Sequence, residues 1–541
     1  MRKSGLRLLA MVLVVVMLAC SVVACGNSTS SDGSTVSDSS QAAQSGDTAI
    51  PMDISISFWD IGKCFPEDVN DEVYEQFKKA TGVTIKPVNI TWDDYSEKTQ
   101  LWAASGELPD VFTCDSRFAK VEIYNSWVNQ KIVKAIPDDL SKYPNLQDFF
   151  NKADIGKYKD TDGTFYCIPR QSYPDARDTA NGAAFFIRKD WMEKCGITED
   201  PKNMDDLIAI CKAFTEQDPD GDNVDDTIGL TAWSMQRALL PMLSILPSLT
   251  EMHWVKEDGQ WIPTIFSEEA LPAIKEYKRL FDSGYVDKDM PILKGTEGMD
   301  KFFGDKAGIF IHQNYLEPSQ IESFNAAHDG KTWSDLVTTV KLWPYKDGKY
   351  YYAETDTCFS ESYINANVSD EKLDKILSMF DWMMSSEWND LRNYGIEGTD
   401  YKRNGDSIEV IRSKDANGVF VPLSQQYPML TMMNQFIDWN TTFKMFEDPT
   451  MDKGVQSIYT ELRKWYHENT VSNVSNWEIE LMYTPSKGKV AGIDYSSSIW
   501  KIIMSNDPDA TYKQVCDEMK KSGFTDYIRE VNEEATKRGI N

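Results

Sequence analysis

The chain has 541 residues, with 85 acidic and 56 basic side chains and a formal net charge of −29 at pH 7. Binding to nucleic acid depends on clustered Lys and Arg that neutralise phosphates, so this charge balance argues against a nucleic-acid partner. The chain is too long for a single hydrophobic core, and we expect two domains, with three as the alternative.

The N-terminal residues have the pattern of an export signal. Basic residues precede an apolar run from Leu8 to Leu18, which is too short for a membrane-spanning helix. The sequence Val22-Val23-Ala24-Cys25 resembles the lipobox of bacterial lipoproteins, in which the peptide is cut before a cysteine whose thiol is lipidated. The alternatives are a lipobox ending at Cys20 and an ordinary signal that leaves Cys25 inert. We therefore expect a signal peptide at 1–24.

A polar segment separates this signal from the folded part of the chain. Residues 26–50 are rich in Ser, Thr, Asp and Gly, so segment 25–51 is predicted to be a lipidated cysteine followed by a disordered tether. No later apolar run is long enough to cross a membrane. We expect an exported protein that Cys25 anchors to the outer face of the bacterial cytoplasmic membrane. The seven later cysteines are scattered, which indicates buried free thiols rather than a disulfide framework.

The first folded residues alternate helices and strands. Apolar and polar residues alternate from Ile54 to Trp59, which predicts a strand. Asn70 is predicted to cap a helix that buries Val73, Phe77 and Ala80 and ends at Gly82. The pattern continues with a strand from Val83 to Ile90, a helix carrying Tyr95, Thr99 and Trp102, and a strand from Val111 to Thr113. This β-α-β-α-β order is typical of a parallel α/β sheet with right-handed crossovers.

Two of these strands end in residues suited to binding a sugar. Ligands bind at the carboxyl ends of such strands, where this chain has Trp59-Asp60 and Cys114-Asp115. An indole face can cover the C–H surface of a pyranose while a carboxylate accepts hydrogen bonds from its hydroxyls. The alternative is that Trp59 packs in the core and Asp60 caps an element.

Several segments resemble one protein family. They are Ala80 to Ile85, Leu101 to Phe112, Phe186 to Ile197, Asp381 to Met383 and Asn393 to Gly398. Together they resemble extracellular solute-binding lipoproteins of carbohydrate ABC transporters, of the family 1 type. The last two are similar to the signature of its large branch, whose relatives bind alginate and plant cell-wall oligosaccharides. The resemblance implies an α/β, two-lobed periplasmic-binding-protein-like (type II) fold with a hinge and an interlobe cleft, and an ABC transporter permease as partner.

An acidic loop at 218–229 has the spacing of a calcium site. Side chains of Asp218, Asp220, Asp222 and Asp226 and the backbone carbonyl of Val224 provide the oxygen ligands that calcium requires. Asn223 stands where the EF-hand has Gly, which is acceptable because Asn tolerates the left-handed conformation. Gly229 stands where the EF-hand has a bidentate Glu. The family resemblance implies structural calcium here; the alternative is a solvated acidic turn.

The second lobe is expected to begin near Tyr173, after an extended crossing at Cys167 to Arg170. The expected division is 52–170 and 351–415 for the N-terminal lobe, and 171–350 and 416–541 for the C-terminal lobe. The predicted elements are a helix from Glu268 to Ser283, a strand from Ala307 to Ile311, a hairpin from Trp343 to Tyr352, and a helix from Glu371 to Ser385 capped by Ser369.

The chain lacks the common motifs of hydrolases, including Gly-x-Ser-x-Gly and His-Glu-x-x-His, and its four His residues have no metal or triad spacing. We therefore expect a monomeric receptor that captures an oligosaccharide for a permease, without catalysis. The alternatives are a surface glycan hydrolase or lyase, and a receptor for a non-sugar solute. The residues expected to contact the ligand are Trp59, Asp60, Asp115, Arg170, Tyr173, Trp233 and Tyr315.

Overall fold

In the part of the chain that the structure describes, nine strands form two separate mixed sheets. They are β1 (Met52–Trp59), β2 (Val83–Ile90), β3 (Val111–Cys114), β4 (Ile168–Gln171), β5 (Ala184–Arg188), β6 (Ile228–Ala232), β7 (Ala307–His312), β8 (Val337–Thr339) and β9 (Cys358–Ile364). The order is β2-β1-β3-β9-β4 in the first sheet and β8-β5-β7-β6 in the second.

The computed structural model describes residues 51–540 apart from 68, 120, 161, 174, 176, 179–183, 313–315, 317, 416–419 and 439–448. The predicted signal peptide, the lipidation site at Cys25 and the tether up to residue 50 therefore lie outside the described residues. Tyr315, expected at the ligand site, lies outside them as well.

The first sheet confirms the strands predicted for the start of the chain. β1 runs parallel to β2 and β3, and β9 is inserted antiparallel between β3 and β4. The parallel strands therefore end where β9 begins, at an edge formed by Trp59, Ile90, Cys114 and Cys358, which we call the first-sheet edge. Apolar side chains from this sheet and its helices form a large cluster, which we call the first core, and a smaller one around Phe112, Trp127 and Tyr363.

The second sheet has a corresponding edge. β6 and β7 are parallel, while β5 is antiparallel to β7 and to β8. We call one side of this sheet the second-sheet edge. There β6 ends at Ala232, β7 ends at His312 and β5 begins at Ala184. A separate second core packs on this sheet. Two sheets with two cores give the two-lobed α/β fold predicted from the sequence, and we call these the first and second lobes.

Helices cover both sheets. In the first lobe they are Glu72–Thr81, Tyr95–Ser105, Ser116–Ala119, Val121–Asn129, Pro144–Phe150, Ala153–Gly156, Asp370–Met383, Ser386–Tyr394 and Leu423–Gln426. In the second lobe they are Lys189–Lys194, Met204–Glu216, Met235–Ala238, Ala270–Asp282, Thr296–Phe303, Pro318–Ala327, Trp333–Leu336, Lys453–Asn469, Trp477–Glu480, Lys487–Val490, Tyr495–Ile503, Pro508–Met519 and Thr525–Arg538. None of the described helices combines the length and apolar character that a bilayer crossing requires.

The first helix differs in detail from its prediction. Asp71, not Asn70, is its N-cap, because the Asp71 carboxylate accepts a hydrogen bond from the Tyr74 amide. Val73 and Phe77 are buried as expected, but Ala80 is exposed and Thr81 is buried in its place. Gly82 ends the helix with a φ of 64°, in the left-handed region that glycine adopts without strain.

Two predictions about the middle of the chain are wrong. Segment 168–171 is strand β4, paired with β9, rather than an extended crossing. The stretch from Trp343 to Tyr352 turns at Tyr345–Gly348 but forms no strand pair with itself. Its strand Tyr350–Tyr352 instead pairs in parallel with Thr470–Ser472, because the chain returns to this face more than a hundred residues later.

In the described part of the chain, the segments that connect the lobes contact one another. The first crossing follows β4 and the second precedes β9, and Asp438 follows Ile437, which still packs in the first core. The Ser172 amide donates to the Thr357 carbonyl at 2.7 Å, and Gln171 forms a β-bridge with Asp438. Residues Tyr427 to Ile437 belong to the first core, beyond the boundary expected at 415.

Candidate functional site

An aromatic cluster lies at the first-sheet edge. Trp59, the last residue of β1, is fully buried, and Trp92 stacks on it with ring centroids 4.7 Å apart and an angle of 14° between the rings. Phe359 meets Trp92 edge to face at 6.2 Å. Trp92 and Phe359 are each 47% exposed, an unusual exposure for large aromatic side chains. The aromatic surface at this edge is therefore formed by Trp92 and Phe359, with Trp59 beneath them.

Two of the expected carboxylates border this cluster. Asp60 has a φ of 53° directly after β1, and its carboxylate pairs with Lys63 at 2.8 Å. Asp115, directly after β3, accepts a hydrogen bond of 2.8 Å from the Tyr95 hydroxyl. Burial, together with that hydrogen bond, raises the pKa of Tyr95. The structure thus brings both acids to the first-sheet edge, with oxygens that can accept hydrogen bonds.

Arg170 is buried and does not lie at the surface of the first-sheet edge. Its side chain is 1% exposed and donates to Ser360 Oγ at 2.7 Å and to the Gln435 carbonyl at 2.6 Å. The guanidinium lies 4.7 Å from the ring centroid of Phe58 and 5.4 Å from that of Trp59. Burial lowers the pKa of Arg170 to about 9. The Arg170 guanidinium thus packs against the buried side of the aromatic cluster.

Glu361, which the sequence did not single out, is buried beneath Asp115. One carboxylate oxygen accepts hydrogen bonds from the Arg117 amide at 2.5 Å and the Tyr363 hydroxyl at 2.6 Å. The other oxygen is buried and has no hydrogen-bond partner among the described residues. Burial raises the pKa of Glu361 to about 8. The group is therefore a protonated carboxyl at neutral pH, under the loop that carries Asp115 and Arg117.

Trp233 lies at the second-sheet edge, as its sequence position predicted. It follows β6, its amide donates to the Ile311 carbonyl at 2.9 Å, and its half-buried ring meets His312 edge to face at 4.8 Å. Tyr173 is half-buried in the first crossing, with its amide 3.3 Å from the Thr357 carbonyl. The expected site residues are thus divided between the two sheet edges and a crossing that joins the lobes.

The acidic loop is folded around its own carboxylates. Single carboxylate oxygens of Asp218, Asp220 and Asp222 all lie within 4.8 Å of one another. The amides of Gly221 and Asn223 donate to Asp218 at 3.2 Å and 3.1 Å. Asn223 has a φ of 62°, the left-handed conformation expected at this position of the loop.

Two features of the loop bear on metal binding. The side chain of Asp220 is 7% exposed, and its Oδ1 is buried without a hydrogen-bond partner among the described residues. Burial and the neighbouring carboxylates of Asp218 and Asp222 raise the pKa of Asp220. Convergent carboxylates with an unsatisfied buried oxygen fit a hard divalent cation, which needs several oxygen ligands.

Close packing explains why the twelfth position of the loop is a glycine. Gly229 lies in β6 against helix Met204–Glu216, and a Cβ on it would come within 2.2 Å of the Cys211 Cα. No side chain fits there, so the bidentate Glu of an EF-hand cannot occupy this position. The loop, moreover, leads into the start of β6, whereas Trp233 follows the end of that strand. At ~3.3 Å per residue, the two ends of β6 are about 13 Å apart. The acidic loop therefore lies on the side of the second sheet away from its candidate ligand edge.

Comparison with known proteins gives a consistent result. Residues 65–315 match the family of bacterial extracellular solute-binding proteins. The polygalacturonan/rhamnogalacturonan-binding protein YtcQ of Bacillus subtilis is 26% identical over 84% of this chain and 83% of its own length. Lipoprotein LipO of the same organism is 28% identical over 62% of this chain and 66% of its own length.

Solved structures have the same fold. The ABC-transporter substrate-binding protein FusA of Streptococcus pneumoniae in complex with kestose matches with a TM-score of 0.64 and 18% identity, over 91% of this chain and 100% of FusA. An EF-hand mutant of FusA in complex with fructo-nystose matches with a TM-score of 0.62 and the same identity and coverage. Residues 65–315 thus match the family of bacterial extracellular solute-binding proteins, and the chain shares its fold with the solved structures.

Proposed function

We propose that this protein captures an oligosaccharide between its lobes and delivers it to an ABC transporter permease. The observation that carries this proposal is the pair of exposed aromatic rings, Trp92 and Phe359, bordered by Asp60 and Asp115 at the first-sheet edge. Rings of this kind bind the apolar faces of pyranoses, and the carboxylates accept hydrogen bonds from hydroxyls. The carbohydrate-binding names of YtcQ and FusA support the same ligand class.

The polar groups at this edge carry both signs of charge. Asp60 pairs with Lys63 at 2.8 Å, and Arg117 follows Asp115 by two residues, while Arg170 is buried against Phe58 and Trp59. The edge offers acceptors for hydroxyls and cations for acidic groups, so the proposed ligand class includes neutral and acidic oligosaccharides. Closure around the ligand is expected to shift the hinge equilibrium, because the ligand contacts both lobes only in the closed form.

Three further features belong to this proposal. The acidic loop binds calcium in a structural role through Asp218, Asp220, Asp222, Asp226 and the Val224 carbonyl, as the EF-hand of FusA suggests. Cys25 carries the lipid that anchors the protein outside the cytoplasmic membrane. The protein acts as a monomer, and its first lobe comprises residues 52–171 and 358–437, with the helices that these two ranges contain.

The test is calorimetric titration of the tether-free protein with neutral and acidic plant oligosaccharides, with product analysis of the same samples. We expect a one-to-one isotherm with an oligosaccharide of this panel that remains intact. Cleavage of the ligand would instead identify a glycan hydrolase or lyase. No binding across the panel would contradict the carbohydrate proposal and favour a non-sugar solute.

A further inference from the structure

A lysine from another segment, Lys306, lies against the acidic loop. The Lys306 ammonium lies 2.8 Å from Asp226 Oδ1, 3.3 Å from Asp222 Oδ2 and 3.5 Å from Asp220 Oδ2. These three carboxylates belong to the set expected to bind calcium. The ammonium therefore lies within the field of negative charge that a divalent cation would neutralise.

Hydrogen bonds hold the backbone of Lys306 independently of its side chain. The Lys306 amide donates to the Lys301 carbonyl at 2.8 Å, and the Lys306 carbonyl accepts from the Ile228 amide at 2.9 Å. Both bonds hold the residue at the start of β7, next to the start of β6. The side chain is 37% exposed, so the ammonium can move to solvent without disturbing either strand.

A single ammonium does not satisfy the loop. Lys306 pairs with Oδ2 of Asp220, while Oδ1 of the same residue is buried without a partner among the described residues. An ammonium has three donors, whereas the four candidate ligand carboxylates of the loop, those of Asp218, Asp220, Asp222 and Asp226, have two oxygens each. A cation with more coordination positions and twice the charge is the better match for this set of acceptors.

We propose that Lys306 is a tethered counter-ion that holds the acidic loop together when calcium is absent and leaves it when calcium binds. This inference rests on the proposed calcium site. Because calcium must displace an internal cation, the lysine weakens calcium binding. The lysine also keeps the metal-free loop folded, because its charge offsets the mutual repulsion of Asp220, Asp222 and Asp226.

The test compares wild type with Lys306→Met, which keeps the length of the side chain and removes its charge. Calcium chloride is titrated calorimetrically into chelator-treated protein, and melting is measured with and without calcium. We expect Lys306→Met to bind calcium about ten-fold more tightly or better. Metal-free Lys306→Met is expected to have a lower melting temperature than metal-free wild type. Calcium-loaded Lys306→Met is expected to have the melting temperature of calcium-loaded wild type.

Lys301→Met is the matched control. Lys301 pairs with Asp287 at 2.7 Å and Asp289 at 2.8 Å and is 30% exposed, but it does not contact the loop. Its replacement is expected to leave calcium affinity unchanged. Equal or weaker calcium binding by Lys306→Met would overturn the role of Lys306 and leave the calcium site standing. Absence of calcium binding by both proteins would overturn the calcium site and this inference with it, without bearing on sugar binding.

Discussion

The indole of Trp92 lies parallel to that of Trp59, with 4.7 Å between the ring centroids, yet only Trp92 reaches the surface. One ring can therefore contact a ligand while the other holds it in orientation. A rigid, pre-oriented ring loses little entropy when it binds, so the pair is suited to recognition.

Replacement of Trp92 by Ala is expected to weaken oligosaccharide binding by about 1–2 kcal/mol, because a stacking face is lost, while leaving the protein folded. Calorimetric titration with the oligosaccharide identified for the wild type measures the effect. Tyr483→Ala is the control, since this ring is 42% exposed in the second lobe. By contrast, Trp59→Ala should lower the free energy of unfolding by about 3–5 kcal/mol. Unchanged affinity in Trp92→Ala would remove that ring from the site.

Replacement of Glu361 by Gln is expected to change how stability depends on pH. Burial raises the pKa of Glu361 from an ordinary value of 4.5 to about 8. Between these values the folded protein retains a proton that the unfolded chain has lost, so the Glu361 contribution lowers the free energy of unfolding as pH rises. Glu361→Gln stays neutral and should be more stable than wild type at pH 8.5 by about 2–4 kcal/mol, with no such gain at pH 4.5.

Urea unfolding at several pH values measures this difference. Glu409→Gln serves as the control, because Glu409 is solvent-exposed in the Ser407–Val410 strand. A stability gain for Glu361→Gln that is the same at pH 4.5 and 8.5 would show that the carboxyl does not titrate in this range.

Calcium is expected to raise the melting temperature of the wild-type protein, because the ion binds the folded loop and not the unfolded chain. Asp220→Ala should abolish the rise, since Asp220 supplies the buried oxygen that lacks a partner among the described residues. Asp300→Ala, at an exposed acid in helix Thr296–Phe303, should retain it. Melting curves of each protein are recorded in chelator and again after calcium is restored, and the two melting temperatures are compared. Identical curves for the wild type would rule out the metal.

Loss of Asp178 is expected to destabilise the first crossing. Its side chain is 2% exposed and accepts hydrogen bonds from Arg463 Nε and His467 Nε2, both at 2.7 Å. Asp178→Ala leaves the guanidinium without its buried carboxylate and should cost about 3–5 kcal/mol. Asp175→Ala removes an exposed ion pair with Arg177 in the same segment and should cost less than about 1 kcal/mol. Chemical denaturation distinguishes them, and equal small losses would contradict the assigned role of Asp178.

Lipidation of Cys25 is expected to give a mature chain that begins at this residue with a diacylglyceryl group on its thiol. Mass spectrometry of the N-terminal peptide from the native host measures the adduct. Cys25→Ser should release the protein from the membrane fraction, whereas Cys20→Ser should not. A native chain that begins at another residue without lipid would contradict the anchor.

Local patterns predicted much of this molecule. The acids of the loop lie within nine residues of one another, so their spacing alone indicated the cluster. Lys306, which pairs with Asp226, is 80 residues away and carries no local signal of that contact. Trp92 follows β2 by two residues, so the rule that identified Trp59 and Asp115 could have found it.

Longer-range pairing limited the remaining predictions. β9 enters the first sheet between β3 and β4, and the side chains of Thr113 and Ser362, 249 residues apart, are 3.1 Å from each other. Nothing near Phe359 or Glu361 in the sequence indicates that partner, so neither residue could be assigned to the site. Trp59 was placed correctly at a strand end, but its burial depends on Trp92, which covers it.

Described residues of the segments that connect the lobes are joined to one another. The Ser172 amide donates to the Thr357 carbonyl, and Gln171 forms a β-bridge with Asp438. Residues that are distant in the sequence are thereby held together, so this part of the connection is one hydrogen-bonded unit and not a set of independent linkers.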